Sequence, residues 1–136
     1  MTFVLGNRSR ERLQGVHPEL VKCVETAITL TLIDFTILEG VRTIERQKKL
    51  FASGATTTMN SRHLTGHAVD LGAYVDGEVR WDWPLYYKIA DAMKEAARMT
   101  GLNGEYAPGL EWGGDWQSFK DGPHYQLNWD SFPKEA

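Results

Sequence analysis

The residues between positions 61 and 71 include histidines and an aspartate that could bind a metal ion. Gly66 predicts a turn. After it, the apolar residues Val69 and Leu71 alternate with Ala68 and Asp70, which predicts a strand. In such a strand the Asp70 side chain lies on the face opposite its apolar neighbours. A carboxylate flanked by core residues is costly to leave unpaired, so Asp70 needs a cation or a set of hydrogen-bond donors. A metal ion would satisfy it, with His63 as a co-ligand carried back over the turn. The alternative is a capping aspartate with surface histidines.

A second polar cluster lies near the C-terminus, where Asp121 and His124 flank a Gly-Pro turn. The strand after this turn directs the His124 side chain away from the face that carries Tyr125. Together, His63, His124 and the carboxylate of Asp70 would make the open three-ligand set that catalytic zinc uses. Zinc in such a set lowers the pKa of a bound water and polarises a carbonyl group. Asp121, a carboxylate outside the ligand set, is the candidate general base.

The remaining histidines and the cysteine have simpler explanations than catalysis. His63 and His67 have the spacing of ligands on a zincin helix, but that motif requires a glutamate after the first histidine and an unbroken helix. A leucine follows His63 and Gly66 interrupts the segment, so we expect His67 at the rim of the site. His17 precedes a proline and is typical of a helix start. Cys23 lies beside an apolar helical stripe, which favours a buried filler over a catalytic thiol.

The elements that must position these residues are helices mixed with short strands. Pro18 suits the first position of a helix whose apolar stripe includes Leu20, Val24 and Ile28. Asp76-Gly77 is a strong signal for a two-residue hairpin. Helices are predicted over residues 9–14 (opened by Ser9 as a cap), from residue 18, and over 44–52 and 83–99; strands are predicted over 34–38, 67–71, 74–75, 78–81, 110–112 and 123–127. Helices that precede and interrupt a hairpin-based sheet predict an α+β fold, a small antiparallel sheet with flanking helices.

The composition excludes several classes of protein. The chain of 136 residues is long enough for one domain and too short for two, so we expect a single domain over residues 1–136. Its net charge of -3 gives no basic field for nucleic acid or an anionic membrane. One cysteine excludes an internal disulfide and a multi-thiolate zinc site. No segment resembles a signal peptide or a membrane span, so we expect synthesis in the cytoplasm without an export signal.

The two polar clusters together resemble the signature of the zinc peptidases of peptidoglycan. That family comprises D-alanyl-D-alanine carboxypeptidases and dipeptidases and phage L-alanyl-D-glutamate endopeptidases, and it shares a fold with the Hedgehog signalling domain. The small size and the aspartate at Asp121, where the dipeptidases have glutamate, resemble the phage endolysin branch. The resemblance implies zinc on His63, Asp70 and His124, with Asp121 as base. The matching positions are Ser61, His63, Gly66, Ala68, Asp70, Asp121 and His124.

The resemblance also implies a role for Arg42, because the Gly-Val-Arg-Thr segment around it is similar to the family's upstream arginine motif. Arg42 would face the scissile carbonyl or a substrate carboxylate, and a guanidinium held at the end of a strand suits either group. The alternative is a surface ion pair with Glu39 or Glu45. Ser61 would steady the histidine loop or a substrate group through a hydrogen bond, since no base is identifiable beside it to make it a nucleophile. Aromatic residues near the second cluster suit either the core or the walls of a substrate groove: Trp112, Trp116, Tyr125 and Trp129.

These inferences predict a monomeric zinc endopeptidase that cuts the L-Ala–D-Glu bond of the peptidoglycan stem peptide. By analogy with the family, it would be a phage lysis enzyme that accumulates in the host cytoplasm and reaches the wall after a holin opens the membrane. One alternative is a D-Ala–D-Ala carboxypeptidase with the same site. Another is a zinc-stabilised module that binds wall peptides without cutting them. A thiol hydrolase built on Cys23 is a third alternative, but the helical setting gives no sign of an activated thiol.

Overall fold

A computed structural model describes residues 2–104 and 109–133 of the chain. The described residues form four α-helices and a five-stranded antiparallel sheet, which confirms the predicted α+β class. The helices are α1 (Asn7–Arg12), α2 (Pro18–Leu30), α3 (Ile44–Ala52) and α4 (Trp83–Met99). The strands are β1 (Phe35–Glu39), β2 (Ala68–Val75), β3 (Glu78–Arg80), β4 (Leu110–Trp112) and β5 (His124–Leu127). No helix in these described ranges has the length and apolar character needed to cross a membrane.

Strand β2 is the centre of the sheet, and every other strand except β4 pairs with it. The strand order is β1-β2-β5-β4, and β3 pairs with β2 outside this path. Asp70 of β2 pairs with Glu39 of β1 and with His124 of β5, so β1 and β5 lie on opposite edges of β2. Ala73 pairs with both β1 and β3, so β3 lies on the same edge as β5, beyond its end. Asp70 therefore stands where two neighbouring strands meet the central one.

Helices α2 and α4 pack together and supply much of the hydrophobic core. The α2 stripe predicted from the sequence is buried, and Cys23 is fully buried beside it. Pro18 occupies the start of α2, and His17 caps it by accepting a hydrogen bond at Nδ1 from the Glu19 amide over 3.1 Å. Apolar residues at helical spacing thus identified both long helices correctly. The buried residues of α4 are Tyr86, Ile89, Ala90, Ala92, Met93, Ala96 and Ala97.

The turn between β2 and β3 has the conformation that its sequence predicts. Asp76 and Gly77 both have positive φ angles, of 52° and 82°, as the favoured two-residue hairpin turn requires. Val75 pairs with Glu78 across the turn. The local sequence is sufficient here because the turn residues themselves set the register of the two strands.

The prediction that Ser9 caps the first helix is wrong. Helix α1 begins two residues earlier, with Gly6 in the cap position, and Ser9 is buried inside it. The Ser9 hydroxyl lies 3.0 Å from Thr36 Oγ1 and accepts a hydrogen bond from the Ile37 amide over 3.0 Å. That amide lies at the outer edge of the sheet, where no further strand satisfies it in the described chain. A tertiary contact therefore overrode the local capping preference.

Candidate metal centre

The pairing of β2 with β5 brings the first two candidate ligands together. Asp70 and His124 are directly opposite each other in the antiparallel ladder, so their side chains project from the same face. His124 Nδ1 lies 3.2 Å from Asp70 Oδ1. The two residues are far apart in sequence, and it is the sheet register that makes them neighbours.

The third candidate ligand comes from a short 3₁₀-helix, Arg62–Thr65, which precedes β2. Ser61 caps this helix, and its hydroxyl accepts a hydrogen bond from the His63 amide over 3.2 Å. Gly66 ends it with a φ of 77°, and a Cβ at this position would lie 2.5 Å from the carbonyl oxygen of Gly15. This turn directs His63 Nε2 to within 3.2 Å of Asp70 Oδ1. Only glycine combines this backbone conformation with such a close approach.

The nitrogen, oxygen and nitrogen atoms of His63, Asp70 and His124 form a group that fits a metal ion. One potential ligand atom from each residue lies within 4.8 Å of the others. His63 Nδ1 is 2.8 Å from the carbonyl oxygen of Gly40, which can only accept, so Nδ1 carries the proton. The Nε2 lone pair of the neutral ring then faces the carboxylate, which is also an acceptor. Acceptors that face one another need a cation between them, and two imidazoles with one carboxylate are ligands that suit zinc.

The electrostatics of this group show the same need for positive charge. Burial by itself would raise the pKa of Asp70, but hydrogen bonds and charge from His124 and His63 outweigh it and hold the pKa well below its usual range. Burial would lower the pKa of His124, but the hydrogen bond and charge of Asp70 outweigh that effect and raise it. The carboxylate of Asp70 therefore favours a positive charge at this position.

Asp121 lies beside the three candidate ligands but is not one of the group. Its backbone makes the turn into β5, because its amide donates to the Gly113 carbonyl over 3.0 Å and its carbonyl accepts from the His124 amide over 3.2 Å. Burial raises the pKa of Asp121, and the charge of Asp70 raises it further, against the opposing effect of nearby positive groups. A carboxyl with a raised pKa next to a candidate metal position is suited to exchange protons at moderate pH.

Arg42 is held at the edge of the site by a β-bulge. The register between β1 and β2 shifts between Ile37 and Glu39, which places Glu39 opposite Asp70. The Arg42 guanidinium donates from Nε to Glu39 Oε1 over 2.8 Å, and Nη2 also contacts this oxygen. Nη1 donates to Gln47 Oε1 over 2.8 Å, and Nη2 lies 4.0 Å from Asp70 Oδ2. The expected alternative, an ion pair with Glu39, is thus present, but it is a largely buried pair at the site and does not involve Glu45.

The candidate ligands line an open cleft of about 480 Å³. Arg42, Ser61 and Asp121 also line it, so every candidate site residue predicted from the sequence borders one cavity. The structure sorts the aromatic residues: Trp112 and Tyr125 are buried in the core, whereas Trp116 and Trp129 line the cleft. Tyr125 alternates with His124 along β5 and so faces the core, whereas Trp116 and Trp129 lie in loops beside the cleft.

Phe119 is a cleft residue that the sequence did not reveal. It has a positive φ of 54°, which is rare for a bulky side chain, and it is 78% exposed. Gln126 was also missed, although its position two residues after His124 on the same face of β5 was a usable signal. Its Oε1 lies 2.7 Å from His124 Nε2. Gln47 is fully buried against Arg42, and no local pattern indicated this contact.

The other histidines and the cysteine lie outside the metal group, as predicted. His67 Nδ1 is 2.7 Å from Thr65 Oγ1, and its ring stands 5.5 Å from that of His17. The 3₁₀-helix that carries His63 ends before His67, so the two do not share a zincin helix. Burial raises the pKa of the Cys23 thiol to about 12, which leaves it protonated and unreactive near neutral pH.

Comparisons with known proteins agree with the fold and the site. A family model described as "Phage L-alanyl-D-glutamate peptidase" matches residues 1–128. The L-alanyl-D-glutamate peptidase of Escherichia phage T5 is 31% identical over 125 residues, which cover 89% of this chain and 87% of that protein. The L-alanyl-D-glutamate peptidase of Listeria phage A118 is 38% identical over 109 residues, which cover 76% of this chain but 36% of that protein. The crystal structure of the Serratia marcescens L-Ala D-Glu endopeptidase ChiX is 42% identical, with a TM-score of 0.88 over 98% of this chain and 95% of ChiX.

The α+β fold and the His-Asp-His group thus belong to a peptidase with a candidate metal centre. The chain is a member of the phage L-alanyl-D-glutamate peptidase family, whose activity is directed at the L-Ala–D-Glu bond of peptidoglycan. The resemblance identified from the sequence is therefore confirmed at the level of the family.

Proposed function

We propose that this chain hydrolyses the L-Ala–D-Glu bond with a zinc ion held by His63 Nε2, a carboxylate oxygen of Asp70 and His124 Nδ1. The observation that carries the proposal is that these acceptor atoms converge in an open cleft while the outer nitrogens of both imidazoles face other acceptors. When bound in such a set, zinc supplies Lewis acidity that makes a water nucleophilic near neutral pH and polarises the peptide carbonyl.

Asp121 is proposed as the general base. Its carboxylate would accept the proton of the attacking water and then deliver it to the amine of the departing D-Glu residue. Its raised pKa favours the first half of this transfer, because the carboxylate of a weaker acid takes up a proton more readily. Its place outside the group of ligand atoms leaves it available for this role.

Arg42 is proposed to stabilise negative charge on the substrate. Its guanidinium is fixed by Glu39 and Gln47, so little conformational entropy is lost when it meets an oxyanion or a substrate carboxylate. Ser61 supports the site by capping the helix that carries His63, and its place in the cleft allows a hydrogen bond to the substrate as well.

Family membership supports a biological role in lysis of a bacterial host. We place the enzyme on the peptidoglycan of the periplasm after holin-mediated release, acting as a monomer on the stem peptide. Light scattering measures the oligomeric state of the preparation. A monomeric preparation that digests peptidoglycan would support the proposed monomer.

The proposal is tested by digesting purified peptidoglycan with metal-depleted protein, before and after addition of zinc, and analysing the products by mass spectrometry. New D-Glu amino termini that form only with zinc would support it. Release of terminal D-Ala would instead identify a carboxypeptidase, and binding without cleavage would identify a zinc-stabilised binding module. Either of these results, or equal hydrolysis without metal, would contradict the proposal.

A further inference from the structure

Gln126 connects the candidate ligand His124 to a carboxylate on the neighbouring strand. Gln126 Oε1 lies 2.7 Å from His124 Nε2, and Gln126 Nε2 donates to Glu111 Oε2 over 3.1 Å. We propose that Gln126 and Glu111 are positioning residues that hold the His124 ring with the lone pair of Nδ1 directed at the metal. This inference rests on the proposed function, because it takes His124 as a zinc ligand.

The carboxylate of Glu111 determines which way the Gln126 amide points. An ionised carboxylate only accepts hydrogen bonds, so the NH₂ group of Gln126 must face it. The amide oxygen is then left for His124, whose Nε2 must be the donor in that contact. Gln126 is buried, so water does not readily replace either partner. The tautomer of His124 is therefore fixed with the proton on Nε2 and the lone pair on Nδ1, the nitrogen that faces Asp70.

Glu111 is itself held in place by the fold. It pairs directly with Gln126 in the β4–β5 ladder. Its Oε2 also accepts from Trp116 Nε1 over 3.0 Å, and its Oε1 lies 3.5 Å from Asn128 Nδ2. The Trp116 ring packs beside the His124 imidazole, with centroids 5.2 Å apart. One carboxylate thus orders both the polar partner of His124 and an aromatic ring that contacts it.

The two histidines of the site differ in how they are oriented. His63 uses a backbone carbonyl, that of Gly40, which no side-chain substitution removes. His124 depends on the side chains of Gln126 and Glu111, so its orientation can be altered by mutation while the ligand itself is kept. Partners of this kind typically contribute about 10–100-fold in metal affinity, since a freely rotating imidazole must be ordered when the metal binds.

The test compares zinc affinity, measured by competition with a chromophoric chelator, in the parent protein and two variants. Gln126→Met keeps the size of the side chain and removes its acceptor, and we expect zinc affinity to fall about 10–100-fold. Glu111→Gln is isosteric and replaces a carboxylate that can only accept with an amide that can also donate. The Gln126 amide is then no longer held in one orientation, so we expect a smaller loss. Visible spectra of the cobalt-substituted proteins should change in both variants, because the geometry of the His124 ligand changes.

Gln47→Met is the matched control. Gln47 is a buried glutamine of the same site, but it contacts Arg42 and the Thr58 carbonyl rather than a ligand. We expect this variant to lose catalytic rate while its zinc affinity and cobalt spectrum stay at parent values. Circular dichroism of each metal-free variant verifies folding. If Gln126→Met does not fold, the zinc affinity of Glu111→Gln is used as the test.

The outcomes separate this inference from the proposed function. If the parent binds no zinc, the proposed function fails. If the parent binds zinc and Gln126→Met binds it equally well, the positioning role is refuted while the function stands. Unchanged affinity in Glu111→Gln alone refutes the part assigned to that carboxylate.

Discussion

Replacing Asp121 by asparagine separates the chemistry of the site from its structure. The change keeps the size and shape of the side chain and removes the group that takes a proton. Because Asp121 is outside the candidate ligand group, zinc should bind the variant as it binds the parent. Hydrolysis, by contrast, should lose the contribution of a general base.

The expected loss in kcat is about 10²–10⁴-fold, which corresponds to roughly 2.7–5.4 kcal/mol of transition-state stabilisation. The stability of the metal-free fold, by contrast, should not fall in this variant. Burial and the nearby Asp70 raise the pKa of Asp121 above its ordinary 3.8, so its charged form destabilises the metal-free fold. This penalty appears as the pH rises above the ordinary value and is fully present above the raised one. At neutral pH we therefore expect the metal-free Asn variant to be at least as stable as the parent.

The assay measures new amino termini released from purified peptidoglycan by zinc-loaded protein, together with bound zinc and the midpoint of thermal unfolding. Asp115→Asn is the control, because Asp115 is an exposed carboxylate that pairs with Lys94 Nζ at 2.9 Å and does not line the cleft. It should retain parent activity. An Asp121→Asn enzyme with full zinc and more than about a tenth of the parent kcat would refute the general-base argument.

Three further changes test the local physics of the site. Gly66→Ala adds a Cβ 2.5 Å from the Gly15 carbonyl at a φ of 77°, so it should lower the unfolding midpoint. Gly54→Ala, with a φ of 79° and open space around it, should cost less, about 1–2 kcal/mol, and equal losses would show that the contact is unimportant. Phe119→Asn suits a φ of 54° better than phenylalanine, so stability should be kept while KM rises; an unchanged KM would exclude Phe119 from substrate binding. Without metal, the raised pKa of His124 means that its contribution is full below 6.5 and is lost as the pH rises through the raised value. Zinc-loaded protein should instead gain stability over this range, because ligands must lose protons to bind; parallel pH profiles in thermal unfolding would contradict this.

Helix periodicity and turn chemistry identified much of the fold correctly. The limits of α4 agree with the prediction, α2 begins where predicted, and the Asp76-Gly77 hairpin forms as expected. These features depend on residues close to one another in the chain, which is why local patterns suffice. The Ser9 cap failed for the opposite reason, since an amide of the distant strand β1 competes for the same hydroxyl. The bulge at Glu39 had no local signal either.

The sequence by itself determined which side chains could form the site, because histidine and aspartate types, a turn glycine and strand alternation limit what each position can do. The tertiary structure decided how those side chains are held. The Gly40 carbonyl behind His63, the Glu39 partner of Arg42 and the Gln126–Glu111 pair behind His124 all depend on the register of strands. Register joins residues that are distant in the chain, and a backbone acceptor has no signature in residue type. The orientation and charge of the site are therefore properties of the folded sheet rather than of the motif.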